Sequence, residues 1–143
     1  MNDKCRIHIP AEDQEKFEQF VFEMDDVLED FVSGARHAGF ALDYSMESLD
    51  VFERYLAAVS KGSQDSETEN RAARYLGEVF RKNIGGQWEL CAKGPNYLFF
   101  KLPVIGGYSD RSTEFCPIEV LGNFLQRMQP GMLRRAVESH RVG

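Results

Sequence analysis

The spacing of apolar residues changes along the chain, and this change sets the fold class. From residue 11 to residue 84, apolar side chains recur at three- and four-residue steps, which is the spacing of amphipathic helices. After Gly85 and Gly86 they alternate with polar side chains, which is the spacing of a β-strand. Helical spacing returns at Pro117. Helices and strands therefore occupy separate stretches, and the sequence predicts an α+β fold.

Three helices are predicted before the glycine pair. The first, over 11–33, has the strongest signal, and its apolar stripe consists of Phe17, Phe20, Val21, Met24, Leu28, Phe31 and Val32. It is predicted to end at Gly34. The second helix covers 46–60. The third covers about 67–84, begins with a capping box of Ser66 and Glu69, and buries Ala72, Ala73, Leu76, Val79 and Phe80.

The alternating stretch predicts a small antiparallel β-hairpin or meander. Its strands are placed at 87–92 and 97–102, while Val104 and Ile105 either extend the second strand or start another. Two C-terminal helices, about 117–128 and 131–140, complete the chain. A two-stranded hairpin is marginal alone, so it should pack on the helices. The length fits a single domain spanning residues 1–143.

The excess negative charge is confined to the first quarter of the chain. The net charge is −6, and residues 1–38 hold ten acids against four bases, whereas residues 39–143 hold thirteen of each. Nucleic-acid binding and electrostatic membrane anchoring both need a basic face. The sequence therefore predicts neither a nucleic-acid partner nor a membrane partner.

Other function classes lack their sequence signals. No stretch has the apolar length of a membrane span, and the first ten residues lack the apolar core of a signal peptide. Three widely spaced cysteines favour reduced thiols in a cytoplasmic protein. Zinc, calcium and nucleotide motifs are missing from the sequence, so no metal and no cofactor are predicted.

The outer face of the first helix is the main candidate surface. At about 100° per residue, the side opposite the apolar stripe carries Glu15, Glu18, Phe22, Asp26 and Glu29. An aromatic side chain within a charged rim is typical of protein-binding hot spots, and the acids would attract a basic partner. The alternative is that Phe22 covers a neighbouring loop or the terminal segment, and the acids form a solvated face.

Gly77 and Glu78 stand out within the third helix. Glycine inside a helix costs roughly 1 kcal/mol relative to alanine, so Gly77 predicts that another element passes close to this backbone. Glu78 is predicted to be a buried partner of Arg74 or Arg81, each one turn away. A general acid or base at Glu78 is the functional alternative.

A second candidate site is a pocket between the hairpin and residues 106–116. It would be lined by Glu78, Tyr108, Asp110 and Arg111 and would suit a small ligand or a hydrolytic reaction. Cys116 precedes a helix N-terminus, which can raise thiol reactivity. No histidine is placed as its base, so a buried or helix-capping thiol is the expectation.

The sequence around the glycine pair resembles a group of small bacterial proteins of uncharacterised function. In these proteins a helix with Leu-Gly-Glu leads through Gly-Gly into a Trp-containing strand, as Leu76-Gly77-Glu78, Gly85-Gly86 and Trp88 do here. The resemblance covers about 45–105 and implies a single-domain cytoplasmic protein. Some similar proteins are immunity-type binders of toxins. The shared positions imply architectural roles and no catalytic residue.

Charge and resemblance together predict a cytoplasmic protein-binding domain that is not an enzyme. Its most specific form would be an immunity-type inhibitor that uses the acidic face of the first helix against an unidentified basic protein. Two alternatives remain open. One is a small-molecule-binding or hydrolytic domain with the pocket near 106–116, and the other is a homodimer subunit with Phe22 at the interface.

Overall fold

The computed structural model of the chain describes residues 11–59, 66–90, 102–109 and 113–141. Within these ranges six helices and one two-stranded antiparallel sheet are present, which confirms the α+β class. The elements are α1 (Ala11–Phe22), α2 (Met24–His37), α3 (Ser48–Val59), α4 (Ser66–Asn83), β1 (Gln87–Leu90), β2 (Pro103–Gly106), α5 (Pro117–Arg127) and α6 (Met132–Glu138). Two helices follow the sheet as predicted, whereas four precede it instead of three.

The predicted first helix over 11–33 is in fact two helices. Glu23 separates α1 from α2, with φ −87° and ψ 2°. A contact from α4 coincides with this break, because Arg74 Nη1 donates a 2.9 Å hydrogen bond to the Phe20 carbonyl oxygen. A side chain that bonds a helix carbonyl competes with the backbone hydrogen-bond ladder and is a known cause of kinks.

α2 continues beyond Gly34, which corrects the predicted end of that helix. The helix closes at Gly39, whose φ of +95° is a left-handed conformation that suits glycine. The Gly39 N–H donates to the Arg36 carbonyl at 2.9 Å, and the Phe40 N–H donates to the Ala35 carbonyl at 2.8 Å. This pair of bonds is a Schellman motif. The stop signal of α2 is therefore Gly39.

α4 is the central helix of the core. It packs against α2, α5 and β2, and its predicted buried side is confirmed, since no surface is exposed on Ala72, Ala73, Leu76, Val79 and Phe80. Two charged residues of α4, Arg74 and Glu78, are buried as well. Buried charges are costly unless they are paired, so these two side chains need partners. The predicted capping box depends on the Ser66 side chain, which lies outside the described residues.

β1 pairs in antiparallel fashion with β2. The predicted partner strand at 97–102 falls almost wholly within residues 91–101, which lie outside the described residues. β2 arises from the stretch whose structure the sequence left open, and its Val104 and Ile105 are fully buried. Ile105 also exchanges two backbone hydrogen bonds with Phe115, of 2.8 and 2.9 Å. Residues on both sides therefore hold β2 in place.

α5 and α6 form the predicted C-terminal pair of helices. α5 begins at Pro117, the proline predicted in its first turn, and is followed by Met128 at a left-handed φ of 54°. The expectation that Cys116 is buried is confirmed, since it is 2% exposed at the N-cap position of α5. Among the helices that the structure describes, none has the length and apolar character needed to cross a membrane.

Candidate functional site

The corner between α1 and α2 presents exposed apolar side chains. Phe22 exposes 82% of its surface and Val21 exposes 41%, while Phe20, which directly precedes them, is buried. The sequence analysis placed Val21 on the buried stripe, and this placement is wrong. Single exposed apolar residues are ordinary on protein surfaces, but two adjacent ones form a small patch.

A cavity of about 610 Å³ adjoins this corner, and we call it the corner groove. Its lining combines five apolar side chains with charged ones and comprises Phe17, Glu18, Val21, Phe22, Met24, Asp25, Glu78, Arg81, Gln87 and Trp88. These residues come from α1, α2, α4 and β1. The groove is therefore a product of the tertiary fold and not of one helix face.

Arg74 holds the end of α1 against α4 and so positions the corner. Its Nη1 bonds the Phe20 carbonyl at 2.9 Å, its Nε bonds Asn70 Oδ1 at 3.0 Å, and its guanidinium carbon lies 4.1 Å from the centre of the Phe20 ring. Burial lowers the pKa of Arg74, with a smaller opposing effect from Glu23. A cation at a helix C-terminus satisfies free carbonyls and interacts favourably with the helix dipole. The exposed Phe22 thus extends from an anchored helix end.

Glu78 organises the wall of the corner groove. It is 7% exposed, and its carboxylate accepts hydrogen bonds from Arg81 Nη1 at 3.0 and 2.9 Å and from Trp88 Nε1 at 2.7 Å. Arg81 Nε also donates to the Gly86 carbonyl at 3.2 Å. The predicted pairing of Glu78 with Arg81 is confirmed, whereas Arg74 bonds elsewhere. The Glu78 carboxylate thus forms an ion pair with Arg81 and also accepts a hydrogen bond from the Trp88 indole, which are the bonds expected of a structural role.

The Trp88 ring lies directly against the backbone of α4. A Cβ atom built on Gly77 would lie 2.3 Å from Cζ2 and 2.4 Å from Cη2 of Trp88. The ring also packs against Phe20 in a T-shaped arrangement, with ring centres 5.1 Å apart. The prediction that another element passes close to Gly77 is therefore confirmed, and the element is β1.

A second cavity of about 380 Å³ shares Asp25 and Glu78 with the corner groove, and we call it the acidic cleft. It is lined by Asp25, Asp26, Leu28, Glu29, Tyr44, Glu78 and Lys82. The Lys82 ammonium lies 5.3 Å from the centre of the Tyr44 ring, which is a cation–π distance. Burial, and then the proximity of Tyr75, Glu78 and Asp25, raise the pKa of Tyr44 to about 12. Tyr44 is therefore a neutral phenol at physiological pH.

The structure divides the predicted partner-binding residues between the two cavities. Glu18 and Phe22 line the corner groove, and Asp26 and Glu29 line the acidic cleft. Glu15 lies on α1 and lines neither cavity. All five side chains are exposed. The break between α1 and α2 thus splits a face that ideal helical spacing predicts to be continuous.

Of the four residues predicted for the alternative pocket, the structure describes Glu78 and Tyr108. Asp110 and Arg111 lie outside the described residues. Tyr108 lines neither the corner groove nor the acidic cleft, and its Oη lies 2.8 Å from Nδ1 of His140. Burial lowers the pKa of His140, which favours its neutral form. Glu78, by contrast, lines both cavities, so it and Tyr108 do not share one of them.

Some residues of the site were not recognised as such from the sequence. Asp25, which lines both cavities, is three residues after Phe22, and helical spacing alone could have added it to the surface. Trp88 was assigned an architectural role, and Gly77 in the sequence signals a close neighbour without saying which residue it is. Tyr44 and Lys82 come together only through the packing of a loop on α4, which no local pattern encodes.

The charge around Trp88 can be measured with ionic quenchers, because it is the only tryptophan of the chain. Charges roughly 8 Å apart in water interact by about 0.5 kcal/mol, which changes a local ion concentration about twofold. The same potential concentrates caesium about twofold and depletes iodide about twofold. We therefore expect caesium to quench Trp88 fluorescence roughly fourfold more effectively than iodide at low ionic strength, each relative to free N-acetyltryptophanamide. Neutralising the groove acids in the double variant Glu18→Gln/Asp25→Asn should remove the preference.

The matched control for this measurement is Glu47→Gln. Glu47 is 77% exposed at its side chain and is paired with Arg134, and it lines neither cavity. It should leave the caesium preference unchanged. Equal quenching by both ions in the unmodified chain would mean that the groove acids do not set the potential at Trp88.

The arrangement as a whole is suited to binding. It offers an exposed aromatic side chain, several exposed carboxylates and a tryptophan wall bonded to the half-buried ion pair of Glu78 and Arg81. Over the described ranges, His, Cys, Asp and Glu side chains do not form any group of three or more that could hold a metal ion. The resemblance to small bacterial proteins stays a prediction. No protein-family model, curated protein or solved structure matches the chain.

Proposed function

We propose that the chain is a non-enzymatic binding domain that docks a basic protein on the corner groove, in the manner of an immunity-type inhibitor. The observation that carries the proposal is Phe22, an 82% exposed aromatic side chain at the rim of a cavity that also contains Trp88. Interface hot spots are enriched in aromatic residues that sit in a pocket within a polar rim. Phe22 and the acids around it have this composition.

The energetics favour a partner that covers Phe22. Burying a phenylalanine side chain is worth roughly 1.5–3 kcal/mol, and this free energy is not gained while Phe22 faces water. The end of α1 is fixed by Arg74, so the aromatic side chain is presented from an ordered helix. Ordering of flexible groups is a major cost of association, and an anchored presenting element reduces it.

The charge distribution supports a basic partner. The groove and the cleft are bordered by exposed Glu18, Asp25, Asp26 and Glu29, while the exposed cations that line them are fewer. Such a field speeds the encounter with a positively charged surface and disfavours an acidic one. A second copy of the chain is disfavoured for the same reason, since a two-fold interface would place these acids against their own copies.

Photocrosslinking from position 22 tests the proposal. Phe22 is replaced by p-benzoylphenylalanine in the native host cell, and the same substitution at the exposed Gln126 of α5 is the control. We expect position 22, but not position 126, to give an adduct with one basic protein. Phe22→Ala should then weaken binding of that purified protein by about 30-fold, the effect of a 2 kcal/mol hot spot. The free energy of unfolding of the Phe22→Ala variant should be unchanged, because the Phe22 side chain is exposed.

Three results would contradict the proposal. Adducts at both positions with the same proteins would indicate nonspecific encounter. An adduct of twice the chain mass would indicate that the face is an interface between two copies. A partner whose affinity is insensitive to Phe22→Ala would bind elsewhere.

A further inference from the structure

We propose that the docked element is a helix that places an apolar side chain in the corner groove and a lysine or arginine in the acidic cleft, one helical turn away. This inference rests on the proposed function and specifies the chemistry of its partner. It follows from the relation between the two cavities, which share Asp25 and Glu78 and so adjoin one another.

Two lining residues of α2 give the spacing of the cavity walls along that helix. Met24 lines the corner groove and Leu28 lines the acidic cleft. These residues are one turn apart on the same face of α2, and at 1.5 Å per residue they are separated by about 6 Å along the helix axis. Side chains at positions i and i+4 of a partner helix have the same separation. One helix can therefore address both cavities at once.

The corner groove is the apolar member of the pair. Its lining includes Phe17, Val21, Phe22, Met24 and Trp88. Docking an apolar face of a helix into a groove of this kind is a recurrent mode of peptide recognition, in which anchors are spaced three or four residues apart. Glu78 in its wall is already bonded to Arg81 and Trp88, so it is not available to pair with a partner cation.

The acidic cleft is complementary to a cation. Within the part of the chain that the structure describes, no ion pair or side-chain hydrogen bond engages the carboxylates of Asp25, Asp26 and Glu29. Among the described residues that line the cleft, Lys82 is the one cation, and its ammonium lies over the Tyr44 ring. A cation is therefore accommodated against this aromatic wall, and the three carboxylates leave an excess of negative charge for a second one.

Two stapled helical peptides of about 14 residues and identical composition test the spacing. In the first, phenylalanine and arginine stand at i and i+4 on one face, and in the second they stand at i and i+2 on opposite faces. The full chain is titrated with each peptide while Trp88 fluorescence is followed. We expect the first peptide to bind at least about tenfold more tightly than the second.

The role of the cleft is isolated by crossing peptide and protein changes. The double variant Asp26→Asn/Glu29→Gln should weaken the first peptide about tenfold and should not affect a version of that peptide with glutamine in place of arginine. Phe22→Ala should weaken both versions. Glu47→Gln, away from both cavities, should change neither.

The inference is overturned if the two isomeric peptides bind equally, if neither perturbs Trp88 at about 1 mM, or if the cleft variant weakens the glutamine peptide as much as the arginine peptide. These outcomes are distinguishable from failure of the proposed function. If the inference fails and the proposed function holds, the crosslink from position 22 to a basic protein would persist, and the partner would bind in another geometry.

Discussion

Replacing Gly77 with alanine is expected to lower the free energy of unfolding by about 2 kcal/mol, even though alanine is the better helix former. The new Cβ would lie 2.3 and 2.4 Å from two ring carbons of Trp88 and 3.3 Å from Pro117 Cγ. Real Cβ atoms do not tolerate the first two distances. Either the ring or the backbone of α4 must therefore move.

Movement of Trp88 is costly because the ring is held on several sides. Its Nε1 donates a 2.7 Å hydrogen bond to the buried carboxylate of Glu78, and its ring packs edge-on against Phe20. Displacing the ring strains or breaks both contacts. Overpacking of this kind costs about 1–3 kcal/mol, occasionally more, and exceeds the gain of roughly 1 kcal/mol in helix propensity. Valine at position 77 should be worse still, since it is larger and β-branched.

Gly122→Ala is the matched control for Gly77→Ala. Gly122 lies inside α5, and a Cβ built on it meets nothing within 4 Å. The same chemical change should there raise the free energy of unfolding by up to about 1 kcal/mol, because only helix propensity changes. Urea denaturation of both variants gives the comparison. Effects of the same sign and size would show that Trp88 does not restrict position 77.

Gly77 illustrates how far the sequence could predict the site. The energetic penalty of glycine in a helix is local, so a close neighbour could be inferred without any tertiary information. The identity of that neighbour could not, because Trp88 reaches it through the turn after α4. Phe22 behaves similarly. Its outward direction follows from helical spacing, but its position beside Trp88 depends on the packing of β1.

The break between α1 and α2 was not predictable from local pattern. Apolar spacing runs through Glu23 without interruption, so a single helix over 11–33 is the natural reading. The contact at the break comes from Arg74, a residue distant in sequence that bonds the carbonyl of Phe20. One consequence is that Val21, which the continuous pattern assigns to the core, is exposed.

The exact partner of β1 was left open by the local pattern. Turn-forming residues at 93–96 suggested a hairpin between adjacent strands, which is the shortest connection. In the described residues β1 pairs with β2, which contains Val104 and Ile105, the two residues that either extend the second predicted strand or start another. Both are fully buried, and Ile105 also bonds Phe115. Strand pairing over such separations is decided by tertiary burial.

Glu53 is a buried acid whose position on the apolar face of α3 is visible in the sequence. It stands one turn from Leu49 and Leu56, on the face of α3 that both residues bury, and it is 6% exposed. Its two carboxylate oxygens accept the backbone N–H groups of Gly131 at 2.8 Å and Leu133 at 2.9 Å. An acid on the apolar face of a helix is a signal of such a buried partner.

Replacing Glu53 with alanine is expected to lower the free energy of unfolding by about 3 kcal/mol. α6 starts at Met132 without a side-chain cap of its own, so Glu53 supplies the acceptors for its first N–H groups. Alanine would leave two donors of this helix start without their acceptor and would open space beside them. Buried donors that lose their partner cost about 1–3 kcal/mol each, and the negative charge also complements the helix dipole.

Glu53→Gln separates the contribution of shape from that of charge. The amide keeps the size of the carboxylate but offers one acceptor oxygen, so one of the two N–H groups of α6 would face an NH₂ group instead. We expect this variant to lose about 2 kcal/mol of the free energy of unfolding, whereas Glu47→Gln, on an exposed side chain nearby in sequence, should stay within about 0.5 kcal/mol of the unmodified chain.

Amide hydrogen exchange gives the decisive readout for the cap. If Glu53 caps α6, exchange at Gly131 and Leu133 should accelerate more than exchange in α4. The lost hydrogen bonds lower the free energy of local opening at the start of α6, whereas the fully buried residues of α4 belong to the core, which exchanges through more global opening. Uniform acceleration along the chain would instead assign the stability loss to packing of α3.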